Sequence, residues 1–180
     1  MDSLLPQAYL IGLIVLLAGA AVVVARQILR VRRDELALSR LDSKGGTKPS
    51  DSAGLYELAS VQLRKRLYGQ ALDNLKLAAK RAEADREPAE ARALIQNALG
   101  FSLAAQNSYK TAVKHYRLAL EAKPDYPVAL NNLAFALEKQ QKLDEAQVIY
   151  EQVLELEAGN KTAKKRLKLL ERKGGFKEAA

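Results

Sequence analysis

Cysteine is absent from this chain, histidine occurs once, and acidic residues are few: 21 Asp and Glu against 29 Lys and Arg. Without cysteine, neither a disulfide framework nor a thiolate metal site is available, which is compatible with a reducing compartment but does not require one. The single histidine, His115, lies between Lys114 and Tyr116 and reads as a structural or solvated residue on a surface-facing turn. No cluster of histidines and carboxylates offers a metal site. Lys44-Gly45-Gly46-Thr47 lacks the spacing and the preceding strand of a phosphate-binding loop. A catalytic group, a metal, a cofactor and a small-molecule substrate are therefore not expected.

The net charge of +8 is unevenly spread. Residues 26–50 carry seven basic and three acidic side chains, and residues 161–178 carry eight and two. Between them, residues 51–160 balance to about −1, with 14 basic and 15 acidic groups. The basic stretch at 161–173 has no interleaved aromatic residues to stack on bases, so nucleic acid is not an expected partner.

What is present first is an apolar run. Ala8–Ala25 holds 18 residues without a charge, and Leu4, Leu5 and Pro6 extend it. As a helix it spans roughly 27 Å, enough for the hydrocarbon core of a bilayer. Ala18-Gly19-Ala20 could pass for a signal-peptidase site, but only Asp2 precedes the run, where a signal peptide would carry positive charge. Arg26, Arg30, Arg32 and Arg33 follow it instead. The expectation is an uncleaved anchor over 4–25, with the N-terminus lumenal or periplasmic and the remainder on the cytoplasmic side. The four arginines would lie at the membrane surface, and the bilayer is one expected partner. An apolar segment beginning at residue 4 leaves no room for a transit peptide before it, which suggests a bacterial or organelle-encoded protein. Residues 26–52 read as a basic juxtamembrane helix followed by a flexible linker rich in Gly, Ser and Pro, starting at Asp42.

The second feature is a repeat. Asn97, Leu99, Phe101 and Leu103 recur 34 residues later as Asn131, Leu133, Phe135 and Leu137. The same offset relates Gln106 to Gln140, Ala112 to Ala146, Tyr116 to Tyr150, Leu120 to Leu154 and Glu121 to Glu155. That period is the length of one tetratricopeptide helix–turn–helix unit. A degenerate first unit matches the second at an offset of 41, through Tyr68, Ala71 and Ala78. The predicted fold is all-α: a single transmembrane helix, then a right-handed superhelix of three helix pairs (53–86, 88–124 and 127–158, within 53–160). A basic capping helix at 161–173 and a tail at 174–180 follow. The first helix is expected to end near Tyr68-Gly69, and the seven extra residues to fall around Arg81–Arg92.

Ala59, Gly100 and Ala134, with Ala71, Ala112 and Ala146, are small where paired helices must cross, and Tyr116 and Tyr150 would wedge between units. Asn97, Phe101, Asn131 and Phe135 fall on the helices expected to line a concave groove. An asparagine amide can both donate to and accept from a peptide backbone, and an exposed phenylalanine can anchor a partner. The bland alternative is that Phe101 and Phe135 stack on each other. Tyr56, Ser60 and Glu138 complete the expected contact set. A clamp for a C-terminal carboxylate is not expected, because Tyr56, Ser60, Ala98, Val128 and Asn132 hold the corresponding places without charge.

Several motifs together resemble a particular family. These are Arg30-Val31-Arg32-Arg33 after the anchor, Glu87-Pro88, Asn97-Ala98-Leu99-Gly100-Phe101, Lys123-Pro124-Asp125-Tyr126, Ala129-Leu130-Asn131-Asn132-Leu133 and Asn160-Lys161-Thr162-Ala163-Lys164. The chain is similar over nearly its whole length to the membrane-anchored tetratricopeptide proteins of cyanobacteria and plastids that assist photosystem I assembly. Ala158 departs from the proline common at that place. The resemblance implies a thylakoid location, repeats on the stromal or cytoplasmic side, and contact with photosystem I subunits or assembly intermediates. A general membrane-anchored scaffold or translocon-associated chaperone is the second reading.

Overall fold

The computed structural model of the chain describes residues 4–43 and 51–175, and among these every regular element is an α-helix. The helices fall into two units, of which the first contains only α1 (Leu4–Ser43). This single 40-residue helix carries both the apolar run and the arginines. Asp42 and Ser43, read as the start of the linker, belong to it, while residues 44–50 lie outside the described residues and the phosphate-loop question with them. Within α1, Tyr9–Arg30 is long and apolar enough to cross a membrane, with a mean hydropathy of 2.3 and nothing in its own unit covering it.

The second unit holds α2 (Ser52–Arg64), α3 (Tyr68–Ala84), α4 (Ala89–Ala105), α5 (Tyr109–Ala122), α6 (Pro127–Lys139), α7 (Leu143–Leu156) and α8 (Lys161–Gly175). Each helix packs on the next, and the first helices of successive pairs also touch, α2 on α4 and α4 on α6. Local chemistry marks the ends. The Asp51 carboxylate accepts from the Gly54 amide and Asn160 Oδ1 from the Ala163 amide, capping α2 and α8. Pro127 opens α6 at a position where no amide hydrogen is needed. Tyr68 opens α3 rather than ending α2, because the chain turns over at Arg66, which takes a left-handed conformation with φ 61°.

Arg66, Arg86, Asn107 and Gln141 all adopt this left-handed conformation, and each is followed by an amide that reaches back five residues. Leu67 bonds Gln62, Glu87 bonds Ala82, Ser108 bonds Leu103 and Lys142 bonds Leu137 through main-chain oxygens. This is the Schellman closure, which satisfies carbonyls that a helix end leaves open. The repeated glutamines add to it: Gln106 and Gln140 donate to the carbonyls of Ser102 and Ala136.

The seven extra residues of the first spacing are shared between two helices. α3 has 17 residues where α5 has 14, and α4 has 17 where α6 has 13. The connections 85–88 and 123–126 are equal in length. α3 is therefore longer at its C-terminal end and α4 at its N-terminal end, so both project in one direction. A cleft of about 210 Å³ lies beside the projection, with Glu83, Arg92, Ile95, Leu118 and Glu121 among its walls. The Ser52 hydroxyl, donating to Glu87 Oε1 at 2.7 Å, ties the start of α2 to the connection.

Two apolar clusters make the core. One joins α2, α3 and α4 through Leu55, Ala59, Ala71, Leu75, Ala78, Ile95 and Leu99. The other runs from α5 to α8 through Ala112, Tyr116, Leu130, Leu133, Ala134, Tyr150, Val153, Ala163 and Leu170. All six small crossing residues are buried. Gly100 shows the reason most sharply: a Cβ there would lie 2.5 Å from Cε1 of Tyr116, whose ring fills the space above the glycine. Overpacking of this kind costs about 1–3 kcal/mol. Gly100→Ala should therefore lower the thermal midpoint of the repeat unit while keeping its helical content, as read by circular dichroism; an unchanged midpoint would contradict this packing.

Candidate partner-binding face

The sequence-predicted contact residues are distributed over α2 (Tyr56, Ser60), α4 (Asn97, Phe101) and α6 (Asn131, Phe135, Glu138). The structure sorts them into two groups with different surroundings. At the N-terminal end of α6, half-buried polar groups bond one another. Asn132 Nδ2 donates to Asn97 Oδ1 at 3.0 Å, and Asn97 Nδ2 reaches the Tyr126 hydroxyl at 3.4 Å. Tyr126 is pushed above its ordinary pKa mainly by burial and next by the neighbouring Tyr56, while the Asn97 bond works in the other direction. Asn131 turns inward, donating to the Pro127 carbonyl at 3.1 Å and leaving a buried Oδ1 without a partner. Asn97 and Asn131 therefore share a register but not a role. Tyr126 was not singled out for this face from the sequence. It lies off the period, since the residues 34 positions away are Arg92 and Asn160.

The second group gathers around Phe135. Its ring meets Tyr109 edge-on, with centroids 6.5 Å apart and planes at 76°. Lys139 Nζ lies 5.4 Å from the same centroid and the Arg166 guanidinium 4.8 Å from it. Such contacts contribute about 0.5–1 kcal/mol each at exposed sites. Phe135 thus pairs with Tyr109 and two cations, not with Phe101 as the stacking alternative has it. Phe101 keeps 44% of its surface exposed. The Arg166 guanidinium also reaches Glu138 Oε1 at 3.4 Å, where the glutamate side chain is only 11% exposed. Glu138 Oε2 and the Tyr150 hydroxyl are buried beside one another. Burial first, and then the Glu138 charge, drive the Tyr150 phenol far above its ordinary range.

His115 lies within α5 and is half-buried, with Nδ1 2.8 Å from Gln96 Oε1 on α4. Burial lowers its pKa, and Lys114 and Lys76 lower it further. Among the described residues no three His, Cys, Asp or Glu side chains gather where a metal could sit. Arg26, Arg30 and Arg32 stand exposed along α1, and Arg33 continues that helix. What the face offers chemically is amides, aromatic rings and cations, a set suited to holding a polypeptide.

These features define a tetratricopeptide-repeat protein, an interaction scaffold. The tetratricopeptide-repeat family model matches residues 103–168. The second tetratricopeptide domain of human RPAP3, solved with an HSP70 peptide, superposes with a TM-score of 0.59 at 22% identity, covering 67% of this chain and 94% of that one. More particularly, the chain belongs to the ycf37 family. It is 34% identical over 170 residues to the ycf37 protein of Guillardia theta, covering 94% of each chain. It is also 30% identical over 159 residues to the chloroplastic tetratricopeptide repeat domain-containing protein PYG7 of Arabidopsis thaliana, covering 88% of this chain and 52% of PYG7.

The bonding around Asn97 generates a direct expectation. Two hydrogen bonds contribute about 1 kcal/mol each. Asn97→Ala should reduce the unfolding free energy of the repeat unit by about 1–2 kcal/mol in urea titration, with an unchanged denaturant slope. A residue reserved for a partner would show no such loss.

Proposed function

We propose that this chain is a membrane-tethered interaction factor that assists the assembly or stability of photosystem I at the thylakoid membrane. The observation that carries the reading is full-length similarity to the ycf37 family together with an apolar helix of membrane-crossing length at Tyr9–Arg30. α1 spans the bilayer once with its N-terminus lumenal, and Arg26, Arg30, Arg32 and Arg33 lie at the opposite surface. The repeats stand on the stromal or cytoplasmic side, where tethering confines their search for newly made subunits to two dimensions. Photosystem I subunits or assembly intermediates bind along the first helices, where Tyr56, Ser60, Phe101 and Phe135 meet the partner while Asn97, Asn131 and Glu138, bonded within the protein, shape the face behind them. Phe101, with nearly half its surface open, supplies apolar anchoring of the kind that dominates interface energetics. The scaffold acts by holding and carries no chemical step.

Two measurements test this. Protease added to sealed vesicles with the cytoplasmic face outward should digest the repeats and leave a fragment of the α1 span; full protection would reverse the orientation. In native membranes, crosslinking followed by mass spectrometry should recover photosystem I subunits. Phe101→Ala combined with Phe135→Ala should cut that recovery several-fold at unchanged helicity, and undiminished recovery would remove this face as the contact.

A further inference from the structure

The 34-residue register does not stop at the third pair. Carried from α6 into α8, it takes Ala129 to Ala163 and Ala136 to Leu170, and all four residues are buried. α8 thus docks with the same face that α6 uses, joining the cluster of Ala146, Tyr150 and Val153. The same register takes Phe101 and Phe135 to Leu169, and Asn97 and Asn131 to Lys165. A capping helix needs only a polar outer face. α8 instead keeps an exposed leucine at the register of the two phenylalanines and places lysine where they have asparagine.

The end of the face is also electrically distinct. Lys161, Thr162, Lys165, Arg166 and Leu169 line one open depression of about 460 Å³. Arg166 joins it to α6 by lying over the Phe135 ring and pairing with Glu138. That ion pair engages Glu138, and among the described residues neither Lys161 nor Lys165 forms an ion pair. Exposed apolar side chains continue inward at Val128 on α6 and at Leu94 and Phe101 on α4.

We infer that α8 is a further contact helix, whose Lys161 and Lys165 receive acidic residues of an extended segment of a partner protein while the apolar residues of that segment lie on Leu169, Val128 and Phe101. The inference rests on the first helices being the contact face. Packed helices stand about 8–10 Å apart, so α4 to α8 covers roughly 20 Å. An extended segment of about six residues, at about 3.3 Å each, spans that distance. A bilayer surface would be drawn by the cations alone. Here the lysines share their depression with Leu169 and adjoin an apolar register common to three helices, which suits a polypeptide.

The test uses the full chain in nanodiscs of uncharged lipid, with two labelled twelve-residue peptides. Both carry alternating leucines, and one ends in four glutamates where the other has four glutamines. Fluorescence anisotropy should give the acidic peptide at least about tenfold tighter binding, with the preference falling steeply as salt rises. Lys161→Glu with Lys165→Glu should abolish the preference, and Leu169→Ala should weaken both peptides alike, with circular dichroism confirming unchanged helicity in each variant. Equal binding of the two peptides to the unaltered chain, or a preference that survives the charge reversal, would overturn the inference. So would loss of the preference when only the nanodisc lipid is made anionic, since α8 would then be engaged by the bilayer. Loss of both peptides on Phe101→Ala with Phe135→Ala, while the lysine variant behaves as the unaltered chain, would retain the face and remove only α8 from it.

Discussion

A tyrosine ring lying where a neighbouring helix has almost no side chain is the contact on which the repeat unit depends. Tyr116 occupies the space above Gly100, and Tyr150 sits in the equivalent register to Ala134. Both rings are fully buried, and they belong to the cluster that continues to α8. The close crossing that the small residue permits is also what brings the first helices side by side. The surface formed by α4, α6 and α8 is continuous because each pair closes tightly enough for the next one to sit against it. Stability and the proposed contact surface therefore originate at the same few positions.

That face is not uniform along its length. Toward α2 it is held by amides and phenols bonded to one another around Asn97 and Tyr126, groups whose hydrogen-bonding capacity is largely taken up internally. Toward α8 it becomes cationic and aromatic, with Phe135 between Lys139 and Arg166. Phe101 stands between the two regions with its ring open. The polar end is rigid, and under the proposed contact the charged end would give selectivity while the exposed apolar residues supply area.

The fold was almost entirely legible in the amino-acid sequence because a period of 34 residues reports helix crossing directly. Gly, Ala and Tyr recur wherever a close approach is needed, so their spacing reproduces the helix pairs. The roles on the contact face were less legible, for two physical reasons. Asn97 and Asn131 occupy equivalent positions, but Tyr126 bonds only the first, and no repeat pattern predicts a partner that lies off the period. Glu138 belongs to the expected contact set but is tied to Arg166, 28 positions downstream on another helix. The end of α2 was misplaced because the left-handed residue that closes it is Arg66, not the glycine that usually marks such a turn.

The lengthening of α3 and α4 has a consequence for how the array is built. The seven residues divide as three on α3 and four on α4, so each helix gains close to one turn of 3.6 residues. An added length of that size translates a helix end along its axis while returning every side chain to nearly its original angle. The buried faces keep their phase, and the difference is confined to an overhang at one edge. The first pair therefore meets the second through packing that the added turns leave undisturbed, and the extra length shows only as the wall of the cleft beside Glu83 and Arg92.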